Sequence, residues 1–163
     1  MYDFIASQID DENDSYASEL LDGFSEFIAD PVWFDFLRIR IQAMNNSKEA
    51  QDALEELLDE VDEQKDLDLY LEVLQFVAHH CDFHILARVA KNTIQEIETV
   101  EDFNDFVKLC SDYFQQRDYE EEAECFHALV KPSENPEDEC ISKEDRTAVL
   151  KELTKQEQLI SGN

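Results

Sequence analysis

The chain has 163 residues, 41 of them acidic and 13 basic, for a formal net charge of −28, and it carries only 2 glycines and 3 prolines. With Gly162 at the C-terminus, Gly23 stands alone inside the chain, so neither a phosphate-cradling P-loop nor a dinucleotide-binding turn can be built, and the shortage of turn residues argues against sandwiches and barrels. The charge opposes direct contact with nucleic acid or an anionic membrane, which carry the same sign.

Hydrophobic residues make up 43%, including 11 Phe and 5 Tyr, which supports a packed core and separates the chain from acidic disordered tails. Cys81, Cys110, Cys125 and Cys140 have no short paired spacing. Met1-Tyr2-Asp3-Phe4 has no basic n-region or apolar h-region, and no apolar run reaches a membrane span. A cytoplasmic chain with reduced thiols is expected.

The spacing predicts an all-α chain of seven to eight helices stacked as antiparallel hairpins. Residues 1–13 read as an acidic, flexible N-terminus. Ala17, Leu20, Leu21, Phe24, Phe27 and Ile28 recur at helical spacing. Asp30-Pro31 has the form of an N-cap followed by proline at the first helical position. Val32 to Met44 is apolar on most sides and reads as the central helix, although Leu37, Ile39 and Ile41 also alternate like a strand. Ser47 can cap a helix with the stripe Ala50, Ala53, Leu54, Leu57, Leu58 and Val61. Tyr70 to Ala78 and Ile85 to Ile97 carry two more. Thr99 with Asp102 has the capping-box form and opens a helix through Phe114. Another runs from Tyr119 to Val130. Pro132 and Pro136 mark a linker over 132–141, and Ser142 with Asp145 caps a last helix. The helical domain is therefore expected over 14–131, with 142–163 as a C-terminal helix or tail.

Two segments match at an offset of 36 residues: Phe76 to Ile94, and 112–130. The pairs are Asp82-Phe83 with Asp118-Tyr119, Ala87 with Ala123, Ala90 with Phe126, and Ile94 with Val130. The second copy resembles a tetratricopeptide repeat over about residues 76–132: Tyr113-Phe114, Arg117-Asp118-Tyr119, Glu122-Ala123 and Phe126 sit like the family's aromatic, Gly-Asp-Tyr turn, Glu-Ala pair and aromatic. Arg117 and Cys81 stand where that family places glycine. The resemblance implies a helical scaffold that binds peptides or proteins. A fainter similarity, over Phe24 to Leu37 and then Asp102-Phe103 with Phe106, is to the helical domain that binds Arf-like GTPases, whose phenylalanine-and-acid hallmark is absent.

Chemistry is sparse. His80 and His84 are spaced i, i+4 and would share a face if one helix ran through them, with Asp82, Cys110 or Cys125 completing a zinc site. Asp82 reads instead as a turn or N-cap that breaks the face, and Cys81 as a small core residue. No cysteine has a basic neighbour in sequence to lower its pKa. The acidic stretches Asp10 to Leu21 and Asp11 to Asp22 lack the mid-loop glycine and final glutamate of a calcium loop. No catalytic constellation and no cofactor are expected.

The acidic surface is the strongest signal. Residues 1–70 hold 20 acidic and 4 basic side chains, whereas residues 131–163 hold 8 and 5. Asp52, Glu55, Glu56, Asp59, Glu60, Asp62 and Glu63 cover the sides of one helix opposite its apolar stripe, and their like-charge i, i+4 pairs cost helix stability. Asp118, Glu120, Glu121, Glu122 and Glu124 form a second run. The expectation is a non-catalytic interaction module of adaptor, chaperone or inhibitor (immunity) type that binds a basic protein or peptide. The alternatives are a nucleic-acid mimic that inhibits a DNA- or RNA-binding protein, and a helical metalloprotein built on His80 and His84.

Overall fold

The computed structural model describes residues 1–162. Its regular elements are nine α-helices and one 3₁₀ turn, against the seven or eight helices expected. The only β pairing among the described residues is an isolated bridge between Thr99 and Cys140. No helix described is long and apolar enough to cross a membrane. The chain divides into two compact units, one ending at Gln64 and one beginning at Lys65, so the division falls well before the Pro132–Pro136 segment.

The first unit contains α1 (Tyr2–Asp10), α2 (Asp14–Phe24), a 3₁₀ turn (Ser25–Phe27), α3 (Pro31–Asn45) and α4 (Ser47–Gln64). The flexible lead-in expected over 1–13 is instead largely α1. Ile5 and Ile9, one turn apart, join Ala17, Leu21 and Leu37 in a buried cluster, and the Tyr2 ring meets Trp33 edge-on at 4.8 Å. Glu12, at φ 59°, breaks the chain between α1 and α2. Arg40 reaches back to Asp10 at 2.6 Å and Arg38 to Asp22 at 3.0 Å. The strand-like alternation in α3 is helical, with Val32, Phe36, Leu37, Ile39 and Ala43 buried. Pro31 opens that helix, but the Asp30 side chain makes no capping bond. Asn46 rather than Ser47 caps α4, its Oδ1 accepting from Lys48 N–H and Glu49 N–H at 3.2 and 3.3 Å. Ala50, Leu54, Leu57, Leu58 and Val61 are the buried stripe of α4, each leucine contributing about 2 kcal/mol of hydrophobic stabilisation.

The second unit contains α5 (Leu67–His80), α6 (Phe83–Glu96), α7 (Val100–Gln115), α8 (Glu120–His127) and α9 (Lys143–Ser161). Connections of a few residues make α5 and α6, and α7 and α8, helical hairpins. The Asp66 carboxylate caps α5 through Asp68 N–H and Leu69 N–H. Thr99 caps α7, accepting from Asp102 N–H at 3.2 Å, while its own hydroxyl donates to the Asp102 carboxylate at 2.9 Å. Phe83, Tyr113, Phe114 and Phe126 form an aromatic cluster, the last two rings stacked 5.6 Å apart.

The segment 132–141 has no helix but is fastened at both ends. Asn104 exchanges two hydrogen bonds with the Lys131 backbone at 2.8 and 2.9 Å. The carbonyls of Glu139 and Pro136 accept from Val100 N–H and Glu101 N–H, satisfying two of the orphan donors at the start of α7. Nor is the C-terminal stretch a detached tail: α9 packs on α6 and α8 with Val149, Leu153 and Gln156 buried. Arg146 donates to the Ile97 carbonyl, and Lys91 pairs with Glu157. The expected capping box is complete at Ser142 and Asp145.

Burial alone would push the Asp145 carboxyl up, but the Lys131 ammonium at 2.7 Å and the donors of Ser142 outweigh it and hold its pKa below the ordinary value. A depressed carboxyl contributes stability above its unfolded pKa and loses it as pH falls through the folded value. Asp145→Asn is therefore expected to cost about 1–2 kcal/mol at neutral pH. The gap from the parent protein should close as pH falls below the ordinary carboxylate range, where Asp145 itself becomes protonated. Paired thermal melts across that range check it. A gap that stayed constant with pH would refute the account.

Candidate interaction surface

The buried stripe of α4 fixes where its carboxylates go. Asp52, Glu56, Asp59, Glu60 and Glu63 are exposed, and Glu55 and Asp62 are half-exposed. Lys48 pairs with Asp52 at 3.0 Å, and Gln51 lies 3.5 Å from Glu55. Among the described residues Glu56, Glu60 and Glu63 make no side-chain hydrogen bond or ion pair. At i, i+4 and i+7 they form one row, neighbours about 6 Å apart. Each such repulsion costs under about 1 kcal/mol in water, which the buried leucines of the same helix exceed.

The second acidic run has a shape that sequence did not reveal. Asp118, Glu120, Glu121 and Glu124, with Gln115 and His127, line an open depression of about 950 Å³ on the α7–α8 hairpin. The Ser111 hydroxyl donates to the Ala123 carbonyl at 3.0 Å and pins α8 to α7 beneath it.

Arg117 sets the turn of that hairpin. Its guanidinium donates to the carbonyls of Ala78 and Tyr113 at 2.9 Å and of Cys81 at 3.0 Å. It also lies 3.7 Å from the centre of the Tyr113 ring. Ala78 and Cys81 close α5, and Tyr113 lies in the last turn of α7, so one cation satisfies the open carbonyl ends of two helices. His79 Nδ1 adds a contact to Gln116 Oε1 at 2.7 Å. In sequence Arg117 stood out only as a departure from a family glycine. Two of its acceptors, the Ala78 and Cys81 carbonyls, lie 39 and 36 residues away at the end of α5.

The histidines do not share a face. His80 ends α5, Cys81 and Asp82 are extended, and His84 belongs to α6. The His80 ring stacks on Phe76 at 4.7 Å. Among the described residues no three His, Cys, Asp or Glu side chains gather as a metal-binding group. Cys81 and Cys110 are buried, and burial pushes the Cys110 thiol pKa up. The fold brings Lys155 within 3.9 Å of the Cys125 sulfur, a neighbour that sequence adjacency did not offer. Lys155 also pairs with Glu152 at 3.3 Å, and this hydrogen bond holds its ammonium pKa above the ordinary value.

No family model, curated protein or solved structure matches the chain. The two segments matched at a 36-residue offset both run helix–turn–helix, but their turns differ. Asp82 has φ −77°, whereas its counterpart Asp118 has φ 61°. The helices that follow have 14 and 8 residues. The pieces of the fainter similarity fall in different units, Phe24 to Leu37 in the first and Asp102 to Phe106 in the second.

Proposed function

We propose that this chain is a non-catalytic interaction module that presents acidic helical surfaces to a basic protein or peptide. The observation that carries this reading is the row Glu56, Glu60 and Glu63 on α4, exposed and without partners among the described residues. A helix optimised only for stability would alternate these positions with lysine. A like-charged row that costs stability is instead suited to steering an oppositely charged partner.

The test is a combined Glu56→Lys, Glu60→Lys and Glu63→Lys variant, titrated with a lysine- and arginine-rich peptide that has no apolar residues. Affinity at low salt is expected to fall about tenfold or more, with a shallower salt dependence. Thermal stability is expected to hold or rise by up to about 1 kcal/mol, because the substituted positions 56 and 63 then face Asp52 and Asp59 at i, i+4 with opposite charge. Unchanged affinity in a folded variant would sink the reading.

The same row supports a second reading, a nucleic-acid mimic, since regularly spaced carboxylates on a ridge can stand in for phosphates. Duplex DNA competing with this protein for a DNA-binding partner would favour the mimic. Binding to basic peptides that contact no nucleic acid would favour the module.

A further inference from the structure

Gly23 has no role that the fold itself explains. It lies within α2, where glycine is a poorer helix former than alanine. Its φ is not positive. A Cβ built on it would meet nothing within 4 Å. Neither backbone conformation nor internal packing therefore requires glycine at this position.

What surrounds it is an apolar face turned outward. Tyr16, Phe24 and Phe27 are 44, 37 and 76% exposed, and Leu20 is half-buried. Within α2, helical spacing places Tyr16, Leu20 and Phe24 beside the buried Ala17 and Leu21, and Phe27 follows in the 3₁₀ turn, with Gly23 between Tyr16 and Phe27 along the chain. Glu19 and Glu26 edge this row. Both are exposed and make no side-chain hydrogen bond or ion pair with any described residue. Their neighbour Asp22 pairs with Arg38.

We infer that the face of α2 and the 3₁₀ turn from Tyr16 to Phe27 docks an amphipathic helix of a basic partner, laid across Gly23. The aromatic side chains take the partner's apolar stripe, as in helix-in-groove recognition. Glu19 and Glu26 receive its Lys or Arg rim, and the bare backbone at Gly23 permits close approach. Charge decides between occupants. A second copy of this chain, also at net charge −28, would bring Glu19 and Glu26 against like charges.

The test uses the full chain and two synthetic peptides of identical Leu and Lys composition, each about five helical turns long. One is amphipathic; the other is permuted so that no apolar face forms. With only two glycines in the chain, the Gly23 amide is readily assigned by NMR. The ordered peptide is expected to shift the amides of Glu19, Gly23, Glu26 and Phe27, and the permuted peptide is not. Phe27→Ser and Gly23→Leu are each expected to weaken the ordered peptide about tenfold. Gly23→Leu should do so with unchanged or raised thermal stability, because its side chain enters open space. The Glu56→Lys, Glu60→Lys and Glu63→Lys variant should retain the Gly23 shift, which separates this site from the α4 row. A Gly23 amide unmoved by the ordered peptide, equal shifts with both peptides, or unchanged affinity in Phe27→Ser would overturn the proposal. So would sedimentation showing a dimer that Phe27→Ser dissolves, which would make the second copy the occupant.

Discussion

Arg117→Gly is expected to destabilise the second unit by about 3 kcal/mol. Three carbonyl acceptors, at Ala78, Cys81 and Tyr113, lose a charged donor at once. A hydrogen bond to a charged group contributes about 1.5–3 kcal/mol, and the contact over the Tyr113 ring adds about 0.5–1. These terms are not additive, since water can reach part of the vacated site. The substitution also discriminates between two views of the hairpin. If the resemblance to a tetratricopeptide repeat extended to this turn, glycine would be the family's own residue and the change would be mild. If Arg117 closes two helix ends, the change is severe and Arg117→Lys rescues little, because an ammonium has no planar fork to span both turns. Denaturant unfolding of the three proteins measures this. A loss below about 1 kcal/mol for Arg117→Gly would refute the clamp. Tyr113 offers an independent readout. Burial pushes its phenol pKa up, and the Arg117 guanidinium opposes that rise. In Arg117→Gly the phenol should titrate at still higher pH.

Features set by local periodicity were legible in the sequence. The α4 face follows from the spacing of Ala50, Leu54, Leu57, Leu58 and Val61 alone, because a helix that buries one stripe must expose the other. The Ser142–Asp145 box was readable for the same reason: both partners lie within one turn. Asn46 and Ser47 are both good caps, and chain order does not choose between them; the register of α4 does. Phe24 and Phe27 continue an apolar rhythm that suggests core, yet α2 ends at Phe24 and the 3₁₀ turn leaves both rings exposed. The acidic depression and the Arg117 clamp were invisible because each joins residues from different helices or turns. The same holds for the boundary at Gln64. Pro132 and Pro136 mark a break in the sequence, but compact units are defined by which helices share a core.

Ile5→Ala is expected to cost the first unit about 3 kcal/mol, within the range for deleting a buried aliphatic side chain. Nine residues with two buried isoleucines make a weak helical signal, and an isolated helix of that length is not stable in water. Its stability is tertiary. Ile5 is 1% exposed, in one cluster with Ile9, Ala17, Leu21 and Leu37. Phe4, its neighbour, is 53% exposed, and Phe4→Ser should stay within about 0.5 kcal/mol of the parent. The contrast is the test. A flexible N-terminus would tolerate both changes equally, whereas a packed α1 separates their losses of unfolding free energy several-fold. Small units hold little surplus stability, so a loss of this size should populate an unfolded first unit at physiological temperature while α5 to α9 keep a core of their own. Hydrogen exchange resolved by segment would then show α1 to α4 exchanging rapidly and the Phe114–Phe126 region still protected. Equal, slow exchange in both units of Ile5→Ala would sink the prediction.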